Sequence, residues 1–198
     1  MVSYNCESWL EIGKRTIKVL DELFHFFCRT MFRIGVGCPK TSFYWQSGSL
    51  KFENIILEKK LNFIFHLANL PVSSLGRQIF DLQDEDRNLH SLLSECQEHL
   101  DAMGMNIREV TKWQFKRKVK HYTRNRNRNQ LLEEVRGYKK LNYDELSTEP
   151  FERKTYFSQL SLQQARMRFR IASSHVQTVR GNFPRKYREQ ISCLSWLL

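Results

Sequence analysis

The chain has 198 residues and carries 32 Lys and Arg against 21 Asp and Glu, a formal net charge of +11 at pH 7. With 41% apolar residues, 14 Phe and 4 Trp among them, it holds enough hydrophobic mass for a folded core, which excludes disorder throughout. Four Pro and eight Gly are too few for an all-β fold rich in tight turns, so the expected class is mainly α: an irregular helical assembly with long amphipathic helices and a basic C-terminal half.

The first expected helix opens on Ser8 and Glu11, which have capping-box spacing. Ile17, Leu20, Phe24, Phe27, Met31 and Ile34 then follow at steps of three and four, which keeps them on one stripe until Gly35, Gly37 and Pro39 end the run. A core-facing helix and a partner-helix seam need the same stripe, and both readings stand. Residues 41–48, with Phe43, Tyr44 and Trp45, are expected as a short helix or turn. Residues 52–70 place Leu57, Leu61, Ile64 and Ala68 on one line, widened by Ile56, Phe63 and Leu67. Such a helix is apolar over most of its circumference and belongs at the centre, with Pro71 as its stop. Shorter helices are expected over 75–83 and 89–103, the second with Leu89, Leu92, Leu93, Cys96 and Leu100 inward and Gly104 at its end.

The character changes after Gly104. Thr111 and Gln114 form a second cap, before a helix with Trp113, Phe115, Val119 and Tyr122 among Lys116, Arg117, Lys118 and Lys120. The run 124–130 has no apolar position and is expected to be solvated or bound to an anion. Leu131, Leu132 and Val135 resume an apolar face before Gly137. Residues 138–160, broken by Pro150, read as a linker or extended loop; Ser161 and Gln164 then cap a last helix over 162–176, with Ala165, Phe169, Ala172 and Val176 on one side. The expected organisation is a helical packing region over 1–110 and a basic region over 111–198 that contains the loop 138–160. No repeat of fixed period is present.

The charge is gathered into blocks. Residues 1–111 hold 12 basic and 14 acidic side chains, whereas 112–140 hold 11 against 2 and 162–198 hold 7 against 1. Such concentration implies an anionic partner, either a phosphate backbone or a membrane surface. The alternation of Arg and Asn over 124–129 favours nucleic acid, because a membrane-surface helix sets large apolar residues opposite its charge. The expected contacts are Lys116, Arg117, Lys120, Arg124, Arg126 and Arg128, then Arg166, Arg168, Arg170, Arg180, Lys186 and Arg188, with RNA or single-stranded DNA as the partner. Phosphate contacts carry no base information, so sequence-specific reading is not implied. The most apolar stretch, 61–72, is too short to span a bilayer and contains Asn62, His66 and Asn69. The N-terminus lacks a basic start and an apolar run, and the five cysteines, at 6, 28, 38, 96 and 193, make no disulfide framework. An intracellular chain of nucleus or cytoplasm, with no membrane partner, is therefore expected.

No catalytic constellation is complete. Asp84, Glu85 and Asp86 are the one tight acidic cluster, and a first-turn acid complementing a helix dipole is its ordinary explanation. His25 with Cys28, and Cys96 with His99, offer two metal ligands each at i, i+3, half of what a closed zinc site needs. Cys28 and Cys96 fall on or beside apolar stripes and read as core thiols. Phosphate loops, nucleophile elbows and metalloprotease pairs are missing, so the expectation is a chain with no catalytic residue, metal or cofactor.

Several segments, taken in order, resemble a family. Ser3-Tyr4-Asn5-Cys6-Glu7-Ser8-Trp9, then Phe27-Cys28-Arg29-Thr30-Met31-Phe32-Arg33-Ile34, Cys38-Pro39-Lys40-Thr41, Tyr44-Trp45-Gln46-Ser47-Gly48 and Glu58-Lys59-Lys60-Leu61-Asn62-Phe63 are similar to stretches of non-LTR (LINE-type) retrotransposon reverse transcriptase polyproteins. The likeness resumes at Arg166-Met167-Arg168-Phe169-Arg170 and at Gly181-Asn182-Phe183-Pro184-Arg185-Lys186-Tyr187-Arg188, which looks like the stretch before a C-terminal zinc knuckle. The resemblance implies the thumb and post-polymerase region of such an enzyme, with the polymerase portion of the parent polyprotein as a partner. The family's catalytic Ala-Asp-Asp hairpin has no counterpart here, so polymerase activity is not carried over. Nor is the knuckle: Cys193 is followed by Trp196, which cannot ligate zinc. The function so implied is a non-catalytic nucleic-acid-binding fragment. The alternative is a helical protein-interaction remnant or a degraded transposon copy with no independent function.

Overall fold

The structure, a computed structural model, describes residues 12–33, 40–85, 91–137, 161 and 163–165. Those residues form a mainly α, irregular assembly without strands: α1 (Lys14–Phe32), α2 (Lys40–Ser47), α3 (Phe52–Ala68), α4 (Leu75–Glu85), α5 (Leu92–Met103) and α6 (Lys112–Gly137). The chain divides into two compact units, one drawn from Met1–Phe26 and Leu50–Leu131, the other from Phe27–Ser49 and Leu132–Leu198.

In the first unit α3 is central, as its wide apolar surface requires. Leu57, Leu61, Ile64, Phe65 and Ala68 pack with Phe80 of α4, with Leu92, Leu93, Cys96, Leu100 and Met103 of α5, and with Phe115 and Val119 of α6. The rings of Phe65 and Phe115 stack with centroids 4.5 Å apart. An aromatic pair of this kind contributes about 0.5–1.5 kcal/mol beyond its buried area. At the other end of α3, Leu20 of α1 and Ile56 form a smaller cluster with Ile12 and Phe52, and Phe24 meets Phe52 edge to face at 6.1 Å.

The connections follow local rules. Asn69 closes α3 by donating its side-chain amide to the Phe65 carbonyl at 2.8 Å. Gly76 lies where a Cβ would come within 3.0 Å of the Leu70 side chain, so a larger residue at the start of α4 requires that leucine to shift. Arg77 ties the two helices by donating to the Ala68 carbonyl. Ser91 and Ser94 cap α5 reciprocally, and Gly104, at φ 57°, ends it in the left-handed region. The expected start at Leu89 lies outside the described residues. Thr111 and Gln114 cap α6 as their spacing demands: the Thr111 amide donates to Gln114 Oε1 at 3.0 Å and the Gln114 amide to Thr111 Oγ1 at 3.4 Å.

In the second unit the eight residues of α2 bury Thr41, Ser42, Phe43, Tyr44 and Trp45 in succession, so this short helix is covered on every side. Thr41 donates to Glu134 Oε2 at 2.8 Å and Ser47 to the Phe43 carbonyl at 2.6 Å. Gly48, at φ 63°, follows the helix.

Three expectations need correction. The first helix begins at Lys14, with the Gly13 carbonyl accepting the Thr16 and Ile17 amides; Ser8 and Glu11, like Ile34 and the stop at Gly35, Gly37 and Pro39, lie outside the described residues. Phe27, expected inward, is 58% exposed, and Cys28 and Phe32 are buried instead. Strict alternation of three and four follows a supercoiled seam, whereas the buried positions Leu20, Cys28 and Phe32 of this helix advance in fours.

The third correction concerns polar residues inside. α3 buries Asn54 and Lys60 along with its apolar positions. Lys60 is 3% exposed, with Nζ 2.6 Å from both Glu95 carboxylate oxygens. Nor is the run 124–130 wholly solvated, because Asn127 is fully buried. Its Oδ1 accepts the Lys51 amide at 2.9 Å and Asn54 Nδ2 at 3.1 Å. Gln130 Oε1 accepts from Asn54 at 2.7 Å, and Gln130 donates to Glu53. The first turn of α3 has no side-chain cap of its own, and Asn127 takes that place. Asn127→Ala should therefore lower stability by roughly 1–3 kcal/mol, the cost of stranding buried donors. A shift of the urea midpoint at unchanged slope would report it, and an unmoved midpoint would contradict the clamp.

Candidate nucleic-acid interface

The rotation of α6 is set by its buried residues. Phe115, Val119, Thr123 and Asn127 are all fully buried and spaced by four, so they turn one side of the helix toward α3. At about 100° per residue the outward side then carries Trp113, Lys116, Arg117, Lys120, Arg124 and Arg128 as one continuous stripe. All six are exposed. Among the described residues no carboxylate pairs with Lys112, Lys116, Arg117, Lys120, Arg124 or Arg128.

The N-terminal half of this stripe borders an open groove of about 1120 Å³. From α3 it is lined by Glu58, Lys59, Asn62, Phe63, Phe65, His66 and, just beyond, Asn69; from the other side by Val110, Thr111, Lys112, Trp113, Lys116, Arg117 and Lys120. Lys112, Lys116, Arg117 and Lys120 thus line one side of a groove whose other lining residues include Glu58, Phe63 and Phe65. Field lines from like charges converge in such a concavity and raise the local concentration of anions. Trp113 is 66% exposed, and the Arg117 guanidinium lies over its ring at 5.2 Å from the centroid. That cation–π contact fixes one face of the indole.

The expected contact residues separate into three groups. Lys116, Arg117 and Lys120 line the groove, and Arg124 and Arg128 continue the stripe along α6. Arg126 does not join them. Alternation by two on a helix turns Arg126 about 200° from Arg124, onto the side of Phe115 and Tyr122. There it is half-buried, its Nε shielded from solvent, and close enough to His99 of α5 to act on its charge. Arg166, Arg168, Arg170, Arg180, Lys186 and Arg188 lie outside the described residues, as do the expected loop 138–160 and most of the helix over 162–176. The cap expected for that helix is present: the Ser161 amide donates to Gln164 Oε1 at 3.1 Å.

Sequence reasoning left Lys59, Lys112 and Asn62 out of the site. Lys59 follows the α3 line only as a neighbour of buried Lys60, and Lys112 precedes the charged run, so neither stands out by pattern. The signal that could have found them is the packing of Phe115 against Phe65, which brings the two helices side by side.

The other candidate chemistries resolve locally. Asp84 and Glu85 stand in the last turn of α4 rather than a first turn, where a carboxylate opposes the helix dipole. Arginines provide the compensation: Arg108 reaches Asp81 at 3.0 Å and Asp84 at 3.1 Å, and Arg77 pairs with Asp81 at 2.8 Å. Asp86 lies outside the described residues. Burial pushes the Cys28 thiol up to about 11 and the Cys96 thiol up to about 12, so both are neutral at physiological pH and suited to the core rather than to metal or nucleophilic work. Among the described residues no three His, Cys, Asp or Glu side chains gather as a metal-holding group, and no helix is long and apolar enough to cross a membrane.

Comparison with family models, curated proteins and solved structures finds no match for the chain.

His99 Nδ1 lies 2.9 Å from the Tyr122 hydroxyl. Burial lowers the His99 pKa below its ordinary 6.5, and the Arg126 guanidinium lowers it further against the opposing pull of Glu98 and Glu95. The unfolded chain therefore binds this proton more readily than the folded one. Stability should fall as pH drops through about 6.5 and stop falling from this source once His99 is also protonated in the fold. Denaturant titrations at neutral and mildly acidic pH should show that decline, and His99→Gln should reduce it. An equal decline in the variant would exclude His99 as the cause.

Proposed function

We propose that this chain is a non-catalytic nucleic-acid-binding module that engages RNA or single-stranded DNA through the cationic stripe of α6 and the groove beside it. One observation carries the reading: Lys116, Arg117, Lys120, Arg124 and Arg128 share one exposed face without a carboxylate partner among the described residues. Surface cations of a merely soluble helix are normally interleaved with acids at i, i+4, and here the only acids in α6 are Glu133 and Glu134, at its far end. A phosphate backbone supplies the missing negative charge at a regular repeat, and guanidinium groups match its oxygens bidentately.

The ordered resemblance to LINE-type reverse transcriptases supports the same reading. Four of its segments fall wholly or partly among described helices, Phe27–Phe32 in α1, Lys40–Thr41 and Tyr44–Ser47 in α2, and Glu58–Phe63 in α3. On that reading the chain corresponds to a thumb and post-polymerase region, and the polymerase portion of the parent polyprotein is a second partner.

A protein-interaction role is the second reading, and one observation favours it. Val72, Leu75, Ile79 and Leu82 recur at three, four and three residues along α4 and its approach, and all four are exposed. The stripe of α3, by contrast, is covered within its own unit, so it is α4 rather than α3 that offers an apolar face.

Binding through the α6 stripe is driven by counterion release and should weaken steeply with salt. Replacing Lys116, Lys120, Arg124 and Arg128 together with Ala should flatten the slope of log affinity against log salt, by about 0.7 for each single-strand phosphate that is no longer neutralised. Arg126→Ala should leave that slope unchanged, since its side chain is turned to α5. Filter binding or fluorescence anisotropy over a salt series measures both. An undiminished slope in the fourfold variant would refute the interface.

A further inference from the structure

The groove combines two features that phosphate binding alone does not require. It is open along one side rather than enclosed, which suits a polymer lying along it rather than a single metabolite held inside. It also displays a tryptophan at its cationic wall, where an apolar side chain of that size loses more by exposure than any other. Arg117 lies across the Trp113 ring at 5.2 Å and so covers one face and holds the indole in place. Trp113 as a whole residue is nonetheless 66% exposed. Lys112 and Lys116 border the same groove one residue before Trp113 and three after it.

From this juxtaposition we infer that Trp113 is a base-stacking platform, which makes the groove selective for single-stranded nucleic acid over duplex. A flat base laid on the indole is flanked by its own phosphates, which meet Lys112 and Lys116, while Arg117 on the ring continues the stack as a cation–π layer. Every base presents a π-face, so the platform tolerates any sequence. A duplex keeps its bases stacked on one another and cannot offer one to the ring without breaking a pair. The inference rests on the proposed phosphate-binding role of the stripe and adds the class of strand that the site accepts.

The test uses the full chain and three probes at one low salt concentration: a short oligothymidylate, an oligomer of the same length and charge made of abasic units, and the corresponding duplex. The wild type should bind oligothymidylate more tightly than the abasic oligomer by roughly 5- to 100-fold, the usual worth of one aromatic platform. Trp113→Ala should weaken oligothymidylate binding far more than abasic binding and so remove that difference, and Trp113→Phe should restore part of it. The exposure of Trp113 keeps the fold intact in both variants. Equal binding of oligothymidylate and abasic oligomer by the wild type, or equal weakening of both by Trp113→Ala, overturns the stacking platform and leaves the electrostatic stripe standing. Tighter binding of the duplex than of oligothymidylate also overturns it. Failure to bind any of the three overturns the platform and the phosphate reading together.

Discussion

The contact on which the rest depends is the burial of Phe115 and Val119 of α6 among Phe65, Leu61 and their neighbours on α3. A helix is rigid in rotation once two residues a turn apart are fixed in a close-packed core. Fixing these two decides where the other side chains of α6 point as far as Leu131. Thr123 and Asn127 follow them inward, Lys116 and Lys120 are carried to the outer wall, and Arg126 is carried to α5. The cationic stripe is therefore a consequence of core packing, not of charge seeking solvent. The charges have no means of arranging themselves into a stripe without the apolar pair beneath them.

The same constraint explains why polar groups lie inside. Once α6 is held against α3, the backbone amide at Lys51 and the side chain of Asn54 are withdrawn from water and need acceptors. Asn127 meets that need from the one stretch of α6 with no apolar residue. A buried amide of this kind contributes little net stability, yet it penalises other registers of the two helices, because any slip leaves several groups unsatisfied. Lys60 and Glu95 act in the same way between α3 and α5.

Much of the architecture was legible in the amino acids. The width of the apolar surface over 52–70 marked a central helix, and the caps at Thr111 with Gln114 and Ser161 with Gln164 marked true starts. In each case a periodic or reciprocal local rule agreed with the tertiary arrangement. Where local rules ended, reading failed. The run 124–130 has the composition of an exposed segment because polarity alone does not reveal whether an amide will be required inside, and the steps of three and four place Phe27 on the apolar stripe whether that stripe meets a core or a partner helix. The cationic residues of the site were visible, but only as a series along the chain. Their division into a stripe and the inward-turned Arg126 needed the helical rotation, and the part played by Lys59 and Asn62 needed the neighbouring helix. Trp113 was visible as an aromatic among lysines, whereas its exposure was not.

The central claim is that one face of α6 meets phosphates and the others do not, and the helix contains its own control. Lys118 is exposed like Lys116 and Lys120 but is turned well away from them by the helical repeat. Acetylation of surface lysines, read residue by residue by mass spectrometry with and without a single-stranded oligonucleotide, compares the three directly. Protection of Lys116 and Lys120 with Lys118 still modified at its free rate is the result expected of this account. Equal protection of all three, or of none, would contradict it.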